Sequence, residues 1–211
     1  MRQYGSGERR WEQPAAGGPL SPDRLAERFR RLPPSCGPVR LVGVDGHAGS
    51  GKSTFAAVLA DRLGGAPVVH LDDLSSHAAL FAWTDRLREH VLEPLSRAES
   101  ARYDVYDWVG RHFVPGGEVP PAPVVLLEGV GAGRHEVRPW LAALVWLELS
   151  AEESWRRGRE RDGEELAGFW DEWETAERAH FAADPSRPHA QLLVFQGQYG
   201  HRLLPGPAGG A

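Results

Sequence analysis

The sequence predicts an α/β fold: a three-layer α/β/α sandwich around a parallel central sheet of about five strands. Short apolar runs recur at 39–44, 67–71, 124–127, 144–149 and 192–195, with longer amphipathic stretches at 52–63, 77–96, 151–161 and 164–181. Strand and helix patterns thus alternate along the chain, the order that builds parallel sheets with crossover helices. The apolar runs are nearly continuous rather than alternating, as expected of strands covered on both faces.

In chain order, residues 1–20 are rich in Gly, Pro, Gln and charge, and read as a flexible tail. Ser21-Pro22-Asp23 opens a short helix, with Ser21 as N-cap, Pro22 at the first helical position, and Leu25, Phe29 and Leu32 along one side. Pro33-Pro34 closes it. Residues 21–203 are expected to form one domain, and the Pro/Gly-rich segment 204–211 a second tail. A chain of 211 residues that is 41% hydrophobic and 25% charged can bury one full core.

The charge balance narrows the partners. A net charge of -5 and a pI near 6.0 supply no basic field for nucleic acid or an anionic membrane, so a small-molecule partner is expected. Cys36 is the single cysteine, which excludes an intrachain disulfide and suits a reducing compartment. The N-terminus lacks the apolar stretch of an export signal, and the longest apolar run, at 141–147, is too short to span a bilayer. A cytoplasmic location is the resulting expectation.

Residues 46–53 read Gly-His-Ala-Gly-Ser-Gly-Lys-Ser, a full match to G-x-x-x-x-G-K-[ST], placed after one strand run and at the start of a helical one. This is the P-loop. Its glycines let successive backbone N–H groups converge on phosphate oxygens, and the helix N-terminus adds partial positive charge at the same place. Gly46, His47, Ala48, Gly49, Ser50, Gly51, Lys52, Ser53 and Thr54 are therefore the expected ATP-binding residues. Lys52 is expected to reach the β- and γ-phosphates and Ser53 to join a Mg²⁺ shell. Lys52 is also the only lysine among 24 basic residues, all the others being arginine. A compact ammonium is retained at the one position where it must fit inside a tight loop.

Other motifs select among P-loop proteins. The N-K-x-D guanine reader is excluded, because the chain has no Asn and no lysine besides Lys52. No transporter ATPase signature is present, and the chain is short for a ring-forming ATPase module, which leaves a kinase. The ordered motifs resemble the uridine kinase-like branch of P-loop kinases, which includes uridine kinase, pantothenate kinase, phosphoribulokinase and glycerate kinase relatives. The resemblance is carried by Val42-Gly43-Val44-Asp45-Gly46 through Thr54, by His70-Leu71-Asp72-Asp73-Leu74, and by Tyr106-Asp107-Trp108. It continues through Val124 to Gly129, closing Leu127-Glu128-Gly129, and the Arg-rich segment from Arg156 to Asp162, over roughly residues 38–196.

The resemblance implies that Asp72 takes the proton from an acceptor hydroxyl and that Tyr106, Asp107 and Trp108 form a substrate loop. It also implies that the arginine helix, around 156–165, is a lid. Ligands of open α/β sheets sit beyond the carboxyl ends of strands, where Asp72, Asp73 and Glu128 are expected. Glu128 is expected to help hold Mg²⁺, through water or directly, or else to be a turn residue before Gly129, with Asp73 either a neighbour of that shell or a helix-start acid. Arg157 and Arg161 share a helical face and are expected to close on the transferred phosphoryl, whereas Arg156 and Arg159 look solvated.

Uridine kinase carries a His three residues after the loop aromatic, where this chain has Arg111, with His112 next to it. An arginine there suits an acceptor bearing a carboxylate or phosphate. The leading expectation is an ATP- and Mg²⁺-dependent kinase acting on a hydroxyl of a nucleoside, such as uridine or cytidine, or a similar metabolite. The alternatives are a nucleoside monophosphate kinase, with Arg111 and Arg134 on the acceptor phosphate, and a non-catalytic ATP-binding module. Phe169, Trp170, Trp173 and Phe181 fall on helical intervals and read as core, with Glu172, Glu174 and Glu177 expected on the solvated side.

Overall fold

A computed structural model describes residues 22–197 and 200–209. The expected N-terminal tail and the Ser21 cap lie outside the described residues. The first element among the described residues is helix α1 (Pro22–Arg31), followed by β1 (Arg40–Asp45), α2 (Lys52–Arg62) and β2 (Val68–His70). Helix α3 occupies 84–96, and the hairpin β3 (Ala101–Asp107) and β4 (His112–Val119) follows it. After β5 (Val124–Glu128) and β6 (Leu141–Leu147) come α4 (Ala151–Asp162), α5 (Ala167–Ala183), β7 (Leu192–Gly197) and β8 (Gly200–Pro205).

The six-stranded sheet has the order β2-β5-β1-β6-β7-β8, parallel throughout except for the antiparallel edge strand β8. The expected five-stranded parallel sheet is therefore present, with one strand added at its edge. Both faces are covered, which is why the strand runs are continuously apolar. Val42, Val44, Val124, Leu126, Ala143 and Val145 pack against α1 and α2 through Leu25, Phe29, Phe55 and Leu59. Leu41, Val69, Val125 and Leu127 pack on the opposite face against Trp83, Leu87 and Val91 of the α3 region and Tyr103 of the hairpin.

Two expectations are corrected, and one hairpin is added. The helix predicted over 77–96 begins only at Thr84, and its turn Arg88–Leu92 is a π-helix. Pro94 explains the wide turn, since its ring would meet the carbonyl of residue 90 in a regular α-helix. The stretch before Thr84 is held by tertiary contacts instead: the Phe81 carbonyl accepts Arg134 Nη1 at 2.7 Å, and the Phe81 ring stacks on His180.

The hairpin β3–β4 was missed because it follows a different pattern. Ala101, Tyr103 and Tyr106 are buried while Arg102 and Asp104 are exposed, and β4 contains Pro115, Gly116 and Gly117. It is a one-faced antiparallel ribbon rather than a covered parallel strand. The segment expected as a tail from 204 belongs to β8 through Pro205. Beyond it, Gly206 N–H donates to Gln191 O at 2.9 Å and Ala208 N–H to Ala190 O at 3.0 Å. Among the described residues no helix is long and apolar enough to cross a membrane.

Candidate functional site

Parallel strands bring all their carboxyl ends to one edge, and strand register decides who meets there. Val44 of β1 and His70 of β2 both pair with Glu128 of β5. The loop after β1, the residues after β2 and the end of β5 are thus immediate neighbours.

The cradle 46–51 links β1 to α2, with Gly51 (φ 94°) as the helix N-cap. Gly49, at φ +85°, has a second constraint, because a Cβ there would lie 2.0 Å from the Ser154 carbonyl oxygen of α4. Helix α4 therefore rests directly on the cradle. A Gly49→Ala variant is expected to lose about 2 kcal/mol or more of stability from left-handed strain and overpacking against backbone. Denaturant unfolding of the variant beside the wild-type chain checks this.

Lys52 is buried, with Nζ donating to the His47 carbonyl at 3.0 Å. Ser53 is exposed, and its Oγ donates to Glu128 Oε1 at 3.2 Å. Glu128 is buried, and its second oxygen is 2.7 Å from His70 Nδ1. That hydrogen bond is the main reason the His70 pKa is raised, partly opposed by burial. A hydroxyl and a carboxylate converge here beside an ammonium, an oxygen donor set of the kind that suits Mg²⁺ next to phosphate.

Sequence reasoning quoted Asp45 only as part of a motif. In the structure it is fully buried, and its carboxylate accepts the N–H groups of Gly46, Gly131 and Gly133 at 2.7, 2.9 and 2.8 Å. It ties the start of the cradle to the loop after β5. Burial pushes its pKa up, against these hydrogen bonds.

Asp72 follows β2 in the 3₁₀ turn Leu71–Asp73. Its side chain is exposed at this edge, where Glu128, Lys52 and His70 act on its charge. Its pKa is raised by loss of water first and by the Glu128 charge second, against Lys52 and His70. Asp73 is half-buried, and its charge acts on His70 and on the Tyr103 hydroxyl, which is pushed up to about 12, mainly by burial and then by the Asp73 charge.

The expected substrate loop stands beside Asp72. Trp108 Nε1 donates to the Asp72 carbonyl at 3.2 Å, and Tyr106 OH lies 3.1 Å from His77 Nδ1. The rings of Tyr106, His77 and Phe169 all contact Trp108, with centroids 5.1, 5.0 and 5.7 Å away. His77, expected as the start of a helix, joins this wall, and Phe169, expected as core, does pack against the Trp155, Trp170 and Trp173 cluster while also meeting Trp108.

Asp107 serves the turn, accepting Val109 N–H at 2.9 Å. Hydrogen bonds from Gly110 and Val109 lower its pKa. Arg111 is exposed at φ +57°, close enough for its charge to act with burial in lowering the His77 pKa.

The four arginines of α4 have different neighbours. Arg157 donates to Glu153 at 3.0 Å and to Gln196 Oε1 at 3.1 Å. That Gln196 oxygen lies 3.2 Å from where a Gly51 Cβ would be, so Arg157 stands by the cradle. Arg161 forks onto Asp162 at 2.7 and 2.8 Å. Arg156 pairs with Glu153 and Glu160, and Arg159 links α4 to α5 through Asp171 and Glu174. Glu177 corrects the sequence reading outright: it is fully buried on α5, against the cradle.

No protein-family model and no curated protein sequence matches the chain. Solved structures do. One is a possible uridine kinase from Bacillus stearothermophilus, with TM-score 0.54 and 18% identity, covering 74% of this chain and 93% of that one. Another, from Silicibacter sp. TM1040, is named as a candidate fructose transport system kinase. It has TM-score 0.54 and 20% identity, covering 81% of this chain and 92% of that one. With the strand order described above, the chain shares its α/β fold with these two kinase-named structures.

Proposed function

We propose that the protein is an ATP-dependent kinase that transfers the γ-phosphoryl group to a hydroxyl of a small, nucleoside-like acceptor. The observation that carries this reading is the meeting of three stations at one sheet edge. They are the cradle with Lys52, the Ser53–Glu128 pair, and Asp72 beside the wall of Tyr106, Trp108, His77 and Phe169. A pure nucleotide binder needs neither Asp72 nor that wall.

Ser53 and Glu128 would hold Mg²⁺, which when bound draws charge from the phosphate oxygens. Lys52 and the cradle amides orient the triphosphate. The Asp72 carboxylate accepts the proton of the acceptor hydroxyl. The hydroxyl oxygen forms the new bond to γ-phosphorus, and the bond to the β–γ bridging oxygen breaks to release ADP. Arg157, already beside the cradle, stabilises the charge on the transferring group, while Arg161 needs to leave Asp162 to join it.

Arg111 favours a second acceptor class, one bearing a phosphate or carboxylate, because an exposed arginine follows the Tyr106–Trp108 segment and its charge reaches His77. Arg134 gives that class no support. Its guanidinium donates to the Phe81 carbonyl and Thr84 Oγ1, both at 2.7 Å, and lies over Trp83. An ADP-release screen over nucleosides, nucleoside monophosphates and small hydroxy acids tests the reading. Turnover with a nucleoside supports it, and turnover only with anionic acceptors selects the Arg111 class. ATP binding without transfer to any acceptor makes the protein a non-catalytic module.

A further inference from the structure

Glu177 has no part in the transfer scheme above, yet it is a fully buried acid that touches the nucleotide cradle. Its Oε1 is 2.6 Å from His47 Nδ1, and its Oε2 accepts Ala48 N–H at 3.2 Å and Trp173 Nε1 at 2.6 Å. Burial by itself would raise its pKa. The His47 hydrogen bond, followed by the Lys52 charge, instead brings it below the usual carboxylate range. An ionised carboxylate only accepts, so His47 Nδ1 is the donor.

His47 and Ala48 are the second and third cradle residues, and they set the direction of the backbone amides that follow. The His47 carbonyl also receives Lys52 Nζ, and its ring is packed edge-on against Trp146 and Phe181, with centroids 5.4 and 5.1 Å away. Residue 47 therefore joins Lys52 on its carbonyl side to Glu177 on its ring side. The helix that supplies Glu177 also carries Phe169 against Trp108 and His77. Helix α5 touches both the cradle and the acceptor wall.

We propose that Glu177 is a positioning residue. It braces the 47–48 turn and thereby makes the geometry of the phosphate cradle depend on the placement of helix α5. The inference rests on the reading that this cradle binds ATP. A buried acid stays ionised only when donors surround it, and here two of its three donors belong to the cradle.

Glu177→Gln and Glu177→Ala separate brace from charge. The Gln oxygen can accept from Ala48 and Trp173 while its amide donates to the other tautomer of His47, so the brace survives. Magnesium and a non-hydrolysable ATP analogue are titrated against each variant, and hydrogen exchange of the Ala48 amide is followed in nucleotide-free protein. The Gln variant is expected to bind close to the wild-type value. The Ala variant is expected to bind at least about tenfold more weakly, with faster Ala48 exchange and unchanged protection inside β1 and β5.

Wild-type affinity and Ala48 protection in the Ala variant overturn the proposal. So does a Gln variant that loses as much as Ala, since charge would then be the cause. If Glu177→Ala unfolds, Glu177→Asp, one methylene short of spanning His47 and Ala48, is held to the same two readouts. If the wild-type chain fails to bind the analogue, the kinase reading falls, while Ala48 exchange still decides the brace.

Discussion

Asp72→Asn is expected to lower kcat about 10²–10⁴-fold while leaving ATP binding near its wild-type value. The amide keeps the shape of the carboxylate and the Trp108 contact, which is made to the backbone carbonyl of residue 72. What it loses is a group that can accept the hydroxyl proton. The pH profile gives the same test independently. The Asp72 pKa is raised, by loss of water and then by the Glu128 charge, and the working form is the ionised one. Activity should therefore rise with pH through a limb displaced above the ordinary carboxylate range, and that limb should vanish in the variant. Wild-type turnover by Asp72→Asn would remove Asp72 from the base role.

Lys52→Ala should be the more general lesion, with turnover reduced about 10²–10³-fold or more and weaker ATP binding as well. The Lys52 ammonium is buried and rests on the His47 carbonyl, within the loop it would share with the phosphates. Arginine is not expected to rescue it, since the planar fork is too large for a site shaped around a compact ammonium. Steady-state kinetics beside equilibrium nucleotide binding separate the two variants: Asp72→Asn changes only transfer, whereas Lys52→Ala changes both.

Local pattern carried much of this site. The cradle is legible because its glycines, Lys52 and Ser53 are contiguous, and its strand–loop–helix setting could be read from periodicity. Asp72 and Glu128 were legible as acids at the ends of apolar runs. His77 and Phe169 were not, because the wall they join is assembled from the turn before α3, the hairpin and α5, far apart in sequence.

Glu177 is instructive. It lies four residues after Trp173 and four before Phe181, on the buried stripe of α5, so spacing alone placed it inside. Its charge led to the opposite assignment, since acids are seldom fully buried unless paired.

The alternating α/β elements, the glycine-rich loop at 46–54 and the two strand-end acids can be read from residues close together in the chain. The hairpin wall, the edge strand β8, the resting of α4 on Gly49 and the burial of Glu177 come from contacts between residues far apart in the chain. Periodicity specifies an element and its faces. Whether a charged group can be buried depends on distant donors that only the folded chain brings to it.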